Sequence, residues 1–179
     1  AAVRQNAFGE VIPACSYAIL DEAHQLEDVA THYFGFSLST YRLEDYARDV
    51  ERFIRSGAVT TRSAQDELQK GIDRLRDHTR SFFTEVAFAH RTNDRARGEE
   101  RVRASDASLA QTREVAAYLA GTLDLVEAAL ALLRPAGDDG ESSTPFDSTA
   151  LSKRAREIRD ELRFLLRASD PAYVYFVEF

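Results

Sequence analysis

Asp21-Glu22-Ala23-His24 puts two acids and an imidazole into four residues directly after the apolar run Tyr17-Ala18-Ile19-Leu20. An acid at the carboxyl end of a parallel strand is placed to hold Mg2+, and the acid beside it can polarise a water for attack on a phosphoryl group. On that chemistry Asp21 is the metal-side carboxylate and Glu22 the general base. Two other readings stay open at this point. Asp21, Glu22, Glu27 and Asp28 also suit the first turn of a helix, where the macrodipole favours acids. Alternatively, Asp21, Glu22 and His24 would start a carboxylate-dependent metal hydrolase site, but one cluster falls short of the three protein ligands that catalytic metal sites usually gather.

What the tetrapeptide lacks is as informative. A triphosphate needs a backbone cradle with a lysine, GxxxxGK[ST]. None of the 8 glycines lies in that pattern, and the only lysines are Lys70 and Lys153. Alone, the chain is expected not to hydrolyse ATP. Cys15 is the single cysteine, so it forms no intramolecular disulfide, zinc knuckle or four-thiolate cluster and is expected to be a buried or half-buried thiol in a reducing cytoplasm. His32, His78 and His90 show no zinc-helix spacing and are expected to be solvated or capping.

The elements that must position the acids follow from hydrophobic period. Pro13 precedes the run Tyr17 to Leu20, which reads as a buried strand stopping at two acids, whereas Val11-Ile12 suits either an edge element or a turn. From residue 40 the period becomes 3.6. Leu43, Tyr46, Val50, Phe53 and Ile54 form one helical stripe that Gly57 ends. A second pattern, from about Thr61 to His90, carries Ala64, Leu68, Ile72, Leu75, Phe82, Phe83 and Val86, weakened only by Gly71; 30 residues would reach roughly 45 Å and project beyond a small globule. A third, from about Ser105 to Leu133, holds a heptad register of Leu109, Ala116, Leu123 and Leu130 alternating with Thr112, Leu119, Val126 and Leu133. The fourth, from about Thr149 to Ala168, repeats the spacing with Leu151, Ala155, Ile158, Leu162 and Leu165, with Ser148 or Thr149 as its cap. The last two predict an antiparallel hairpin. Arg134 to Pro145 has the composition of a surface loop, and Pro171 introduces an aromatic, β-branched run from Ala172 to Phe179 with strand character.

The fold class is thus mainly α, a bundle or hairpin of about four helices with short strands at both chain ends returning to a common sheet. The 179 residues, 44% apolar and 30% charged, exclude collagen-like and disordered classes, and no apolar run approaches the roughly 20 residues that cross a bilayer. Neither a membrane span nor a targeting leader is expected. The absence of methionine and the finish in mid-strand suggest a piece of a longer protein.

A formal net charge of -7 repels polyanions unless positive charge is sorted onto one face. Arg91, Arg95, Arg97, Arg101 and Arg103, set against Asp94, Glu99 and Glu100, leave a small local surplus at the tip between the second and third helices. They suit either a solvated turn or contact with a phosphate backbone. Lys153, Arg154, Arg156, Arg159, Arg163 and Arg167 alternate with Glu157, Asp160 and Glu161 as on an exposed helix face. Phe82, Phe83 and Phe88 fit core packing better than base stacking.

The stretch Phe8-Gly9-Glu10-Val11-Ile12-Pro13 through Tyr17-Ala18-Ile19-Leu20-Asp21-Glu22-Ala23-His24-Gln25-Leu26 resembles the DEAH-box region of the XPD/DinG-like DNA helicases of superfamily 2, in their bacterial DinG/YoaA-type branch. The resemblance implies that residues 1–36 are a Walker B/DEAH segment of helicase domain 1, residues 37–170 a helical Arch-like domain and residues 171–179 the strand returning to domain 1. It gives Asp21 to Mg2+ coordination, Glu22 to water activation and His24 to coupling the nucleotide site with the second motor domain. ATP and Mg2+ are the implied cofactors, with single-stranded DNA threading beneath the Arch, the remaining helicase domains and a regulatory protein at the Arch as implied partners, in DNA repair. The phosphate-binding loop and the second motor domain have no counterpart here, and any [4Fe-4S] cluster would rest on cysteines outside this chain. Motif evidence covers the first 30 or so residues and the last eight; the helical middle matches in length and type. The competing class is a non-enzymatic helical protein-interaction module with a structural acid cluster.

Overall fold

The computed structural model describes residues 16, 17, 19, 21–26, 29, 31, 35–59, 61–90, 101–133 and 147–179. The chain divides into two compact units, residues 1–37 and residues 38–179. The first carries the acidic tetrapeptide and the second the long helices.

In the second unit, helix α1 (Thr40–Arg55) starts where Ser39, in extended conformation, accepts a hydrogen bond from the Arg42 amide on its Oγ at 3.2 Å. That contact satisfies one of the donors a helix start leaves open. Leu43, Tyr46, Ala47, Val50 and Phe53 are its buried face, and Gly57 turns the chain away at φ 79°, a left-handed value that suits a residue without Cβ. Buried Val59 then docks the turn, its carbonyl accepting from the Gln65 side chain at 2.6 Å. Helix α2 (Arg62–Ala89) is 28 residues long and buries Leu68, Ile72, Leu75, Thr79, Phe82 and Val86. Burial spread over that span covers the helix along most of its length, so it does not project as a bare arm.

The third periodic stretch is two helices. A short α3 (Asp106–Leu109) opens on a reciprocal pair in which Ser105 Oγ accepts from the Ser108 amide and Ser108 Oγ from the Ser105 amide. A 3-10 turn, Ala110–Thr112, leads into α4 (Arg113–Ala131). The heptad stripe survives this break, because Leu109, Thr112, Ala116, Leu119, Leu123, Val126 and Leu130 are all buried. Helix α5 (Ser148–Arg167) buries Leu151, Ala155, Ile158 and Leu162. Its N-cap is Asp147, with Ser148 already helical and buried, one residue before the expected cap.

Helices α4 and α5 pack together as the expected hairpin; α4 also lies on α2, while α1 lies on α2 and α5. The result is a mainly helical bundle of four long helices with one apolar core. Arginine forks staple its seams. Arg76 of α2 reaches Glu44 at 3.0 and 3.1 Å and Glu51 at 2.5 Å, both on α1. Arg154 of α5 reaches Asp49 of α1 at 2.5 Å, and Arg42 of α1 forks onto Glu161 of α5. Arg159 of α5 holds Asp124 and Glu127 of α4 and is only 15% exposed. Arg154 and Arg159 thus join helices, where the alternating charges predicted a solvated face.

Two carboxylates in these forks respond to acid. Hydrogen bonds from Arg76 hold Glu44 and Glu51 below the ordinary carboxylate value of 4.5. A depressed folded-state pKa contributes stability that is complete above the unfolded value and is lost as pH falls through the folded value. Arg76→Gln is therefore expected to lower stability near pH 7 by about 1 kcal/mol, a modest figure because Glu44 is 34% exposed and solvent screens it. The gap between variant and parent closes as pH drops below about 4, and urea midpoints measured across pH 3 to 7 check both statements.

Two three-residue strands, β1 (Arg101–Arg103) and β2 (Phe176–Glu178), pair antiparallel with Arg101 opposite Glu178, Val102 opposite Val177 and Arg103 opposite Phe176. The aromatic terminal run thus has the expected strand, but its partner is the segment before α3. At Tyr17 and Ile19 the backbone is not in a strand, and both side chains are almost fully exposed. A lone strand has peptide groups that only a neighbouring strand satisfies, and among the described residues none is set against it. Val11, Ile12, Cys15, Ala18, Leu20, His32 and the stretch from Arg134 to Pro145 lie outside the described residues.

Candidate active site

The acidic tetrapeptide forms a turn. Asp21 Oδ1 accepts a hydrogen bond from the Glu22 amide at 2.9 Å, and Glu22 sits at φ 53° and ψ 41°, in the left-handed region. For a residue with a Cβ this conformation costs on the order of 1–3 kcal/mol, and such residues cluster at functional sites. A 3-10 helix, Ala23–Gln25, follows. The geometry brings Glu22 and His24 together, with Oε2 3.2 Å from Nδ1 and the two side chains 64% and 72% exposed. A contact so open to solvent is worth little, so the Glu22 carboxylate can exchange the imidazole for a water at small cost.

Mg2+ binding is consistent with this donor set, with one limit. Mg2+ takes oxygen ligands and commonly one or two carboxylates completed by phosphates and waters. Asp21 offers an exposed carboxylate of that kind. Among the described residues no group of three or more His, Cys, Asp or Glu side chains is gathered that could hold a metal ion. The alternative in which the acids decorate a helix start is met halfway. Glu22 is the N-cap of the 3-10 helix but makes no side-chain capping bond, while Glu27 and Asp28 lie outside the described residues.

The basic cluster is divided. Arg91, Arg95 and Arg97 lie outside the described residues. Arg101 donates from Nε to Glu178 at 2.6 Å and lies over the Phe176 ring at 5.0 Å. Its charge is thereby partly spent on β2. Arg103 is exposed one pleat further along. Phe82 is buried and meets half-buried Phe83 edge-on at 5.1 Å, as expected for core residues. Phe88 departs from that expectation, being 66% exposed. His90 caps α2 as expected, its ring contacting the Val86 carbonyl at 2.9 Å and Ser108 at 3.0 Å. His78 is half-buried and caps no helix; it meets Thr122 of α4 at 2.7 Å.

Sequence reasoning missed a groove of about 380 Å³ between α4 and α5, floored by Ala117, Ala120 and Gly121 and edged by Arg113, Arg163 and Arg167. Its signal was legible as a near absence of charge along the middle of α4.

One unit carries an acid-rich turn and the other a bundle of four long helices. No family model matches the chain, and no solved structure does. The chain is similar to the ATP-dependent DNA helicase YoaA of Escherichia coli (strain K12), 42% identical over 80 residues that make up 45% of this chain and 12% of the relative. It is also similar to the ATP-dependent DNA helicase YoaA of Haemophilus influenzae, 46% identical over 55 residues, 31% of this chain and 9% of the relative. The resemblance to the DinG/YoaA branch is borne out by both. The matched stretches span about a tenth of the length of these relatives. Among the described residues no helix is long and apolar enough to cross a membrane.

Proposed function

We propose that this chain is the DEAH-box and Arch-like part of an ATP-dependent DNA helicase of the DinG/YoaA type. The observation that carries the reading is Asp21-Glu22-Ala23-His24 in an exposed, left-handed turn, in a chain 42% identical over 80 residues to a DNA helicase. Residues 1–36 belong to the first motor domain, residues 37–170 are the Arch-like insertion and residues 171–179 lead back. The division between residues 37 and 38 and the helical bundle beyond it support that order.

In this reading Asp21 holds Mg2+ together with the nucleotide phosphates, and the metal supplies charge neutralisation at the transferring phosphoryl group. Glu22 accepts the proton of the attacking water. His24, 3.2 Å from that carboxylate, orients Glu22 and transmits its state to the second motor domain. Phosphate-loop, second-domain and any iron–sulfur residues come from polypeptide outside this chain. Single-stranded DNA passes along the Arch, with Arg103 and its neighbours as backbone contacts, and the activity serves DNA repair in the cytoplasm.

The intact protein carrying this sequence should hydrolyse ATP with Mg2+ and accelerate when single-stranded DNA is added; the isolated 179 residues should not. A phosphate-release assay on both checks this. Turnover by the isolated chain, or an intact protein indifferent to DNA, overturns the reading.

A further inference from the structure

A two-stranded ribbon turns alternate side chains to opposite faces, and residues paired across it share a face. In the ribbon of β1 and β2 the pair Val102 and Val177 takes one face, and Val177 packs against the apolar core of the bundle. Tyr175, two residues earlier, continues that face onto α5, its ring 5.9 Å from that of Phe164. The ribbon is thus anchored from one side. Its other face carries Arg101, Arg103, Phe176 and Glu178, all exposed, and Val174, 69% exposed, extends it by one pleat.

The charges on this face are arranged differently from those of the bundle seams, where Arg76, Arg154 and Arg159 are each held by acids on a neighbouring helix. Arg103 stands opposite Phe176 rather than opposite an acid. Arg101 reaches Glu178 at 2.6 Å and lies over the Phe176 ring at 5.0 Å from its centre. The two side chains of that ion pair are 48% and 55% exposed, so a phosphate can replace the carboxylate at small cost. Two arginines against one glutamate leave the face positive by one charge, on a chain whose formal net charge is -7. Positive charge suits a polyanion, and an aromatic ring with a guanidinium over it suits the flat face of a base. A duplex keeps its base faces inside its own stack, whereas a single strand offers phosphates and base faces together.

We propose that the outer face of the β1–β2 ribbon is a single-strand contact, in which a base stacks on the Phe176–Arg101 pair and Arg103 holds an adjoining phosphate. This rests on the helicase reading and adds to it the side chain that meets the bases, Phe176. The contact tolerates any sequence, because every base has a flat face.

Fluorescence anisotropy of a labelled oligo(dT) of about 12 nucleotides, titrated with the 179-residue chain at low salt, tests the proposal beside an abasic strand of the same length. The parent chain should bind oligo(dT) with a dissociation constant on the order of 10–100 μM and the abasic strand about 5- to 10-fold more weakly. Phe176→Ala should lose the same factor on oligo(dT) and nothing further on the abasic strand, while Phe176→Tyr, which keeps a ring, should stay within about twofold of the parent. Arg103→Gln should keep the preference for oligo(dT) but lower the slope of log affinity against log salt by about 0.7. A parent chain that leaves oligo(dT) unbound at about 1 mM overturns the contact and leaves the face to a protein partner. Phe176→Ala that binds oligo(dT) like the parent overturns the stacking, as does a variant weakened equally on both strands, since the ring would then be holding the ribbon rather than a base. If the contact fails while ATP hydrolysis by the intact protein still responds to single-stranded DNA, the helicase reading stands without it. An intact protein indifferent to DNA overturns that reading whatever the anisotropy shows.

Discussion

Glu22→Gln in the intact protein should cut ATP turnover by about two to four orders of magnitude, the usual contribution of a positioned general base, while nucleotide binding changes by less than about threefold. The asymmetry follows from the role assigned to each acid. Glu22 acts on water, and glutamine preserves its volume and its left-handed backbone demand, so only the proton acceptor is lost. Asp21→Asn differs in kind, because the amide oxygen is a poorer ligand for Mg2+ and the loss falls on the metal–nucleotide complex itself. Single-turnover kinetics beside equilibrium binding of ATP separates the two. Turnover retained in Glu22→Gln removes that side chain from the base role, whatever else the chain does. Because the His24 contact is exposed on both sides, glutamine keeps a hydrogen-bonding partner for the imidazole. A collapse of the turn is therefore not the expected cause of a loss.

The helical part of the fold was readable because its period is carried by single residues. Leu43, Tyr46 and Val50, or Leu151, Ala155 and Ile158, are buried where a 3.6 repeat puts them. Less legible was everything decided by pairs far apart in the chain. Nothing local to Arg76 tells that it forks onto Glu44 and Glu51, or to Arg159 that it faces Asp124, since exposed and cross-helix arginines have the same sequence neighbours. The partner of Phe176 to Glu178 was hidden for the same reason: strand character is local and strand pairing is not. At the candidate site, residue types and chain order alone singled out Asp21, Glu22 and His24, but the left-handed turn at Glu22 has no compositional sign. Glycine or asparagine would have announced it, and glutamate does not.

Leu123→Ala should lower the unfolding free energy by about 2–5 kcal/mol, and the thermal midpoint by roughly 4–20 °C for a unit of this size. Leu123 has no exposed surface and sits mid-way along α4, the helix that packs on both α2 and α5. Truncating it removes three carbons from the place where the core has least freedom to close in. Leu125→Ala, the same chemistry two residues on, should change stability by no more than about 0.5 kcal/mol, because Leu125 is 59% exposed. The contrast therefore reads the facing of α4 directly. Equal losses at the two positions would mean that the helix is rotated from the orientation described, which would bury the outer stripe and expose the heptad of Ala116, Leu119 and Leu123. Unequal losses in the expected sense establish that α4 owes its place in the bundle to one stripe alone. The second stripe, with Tyr118, Leu125 and Leu132, then contributes little to folding.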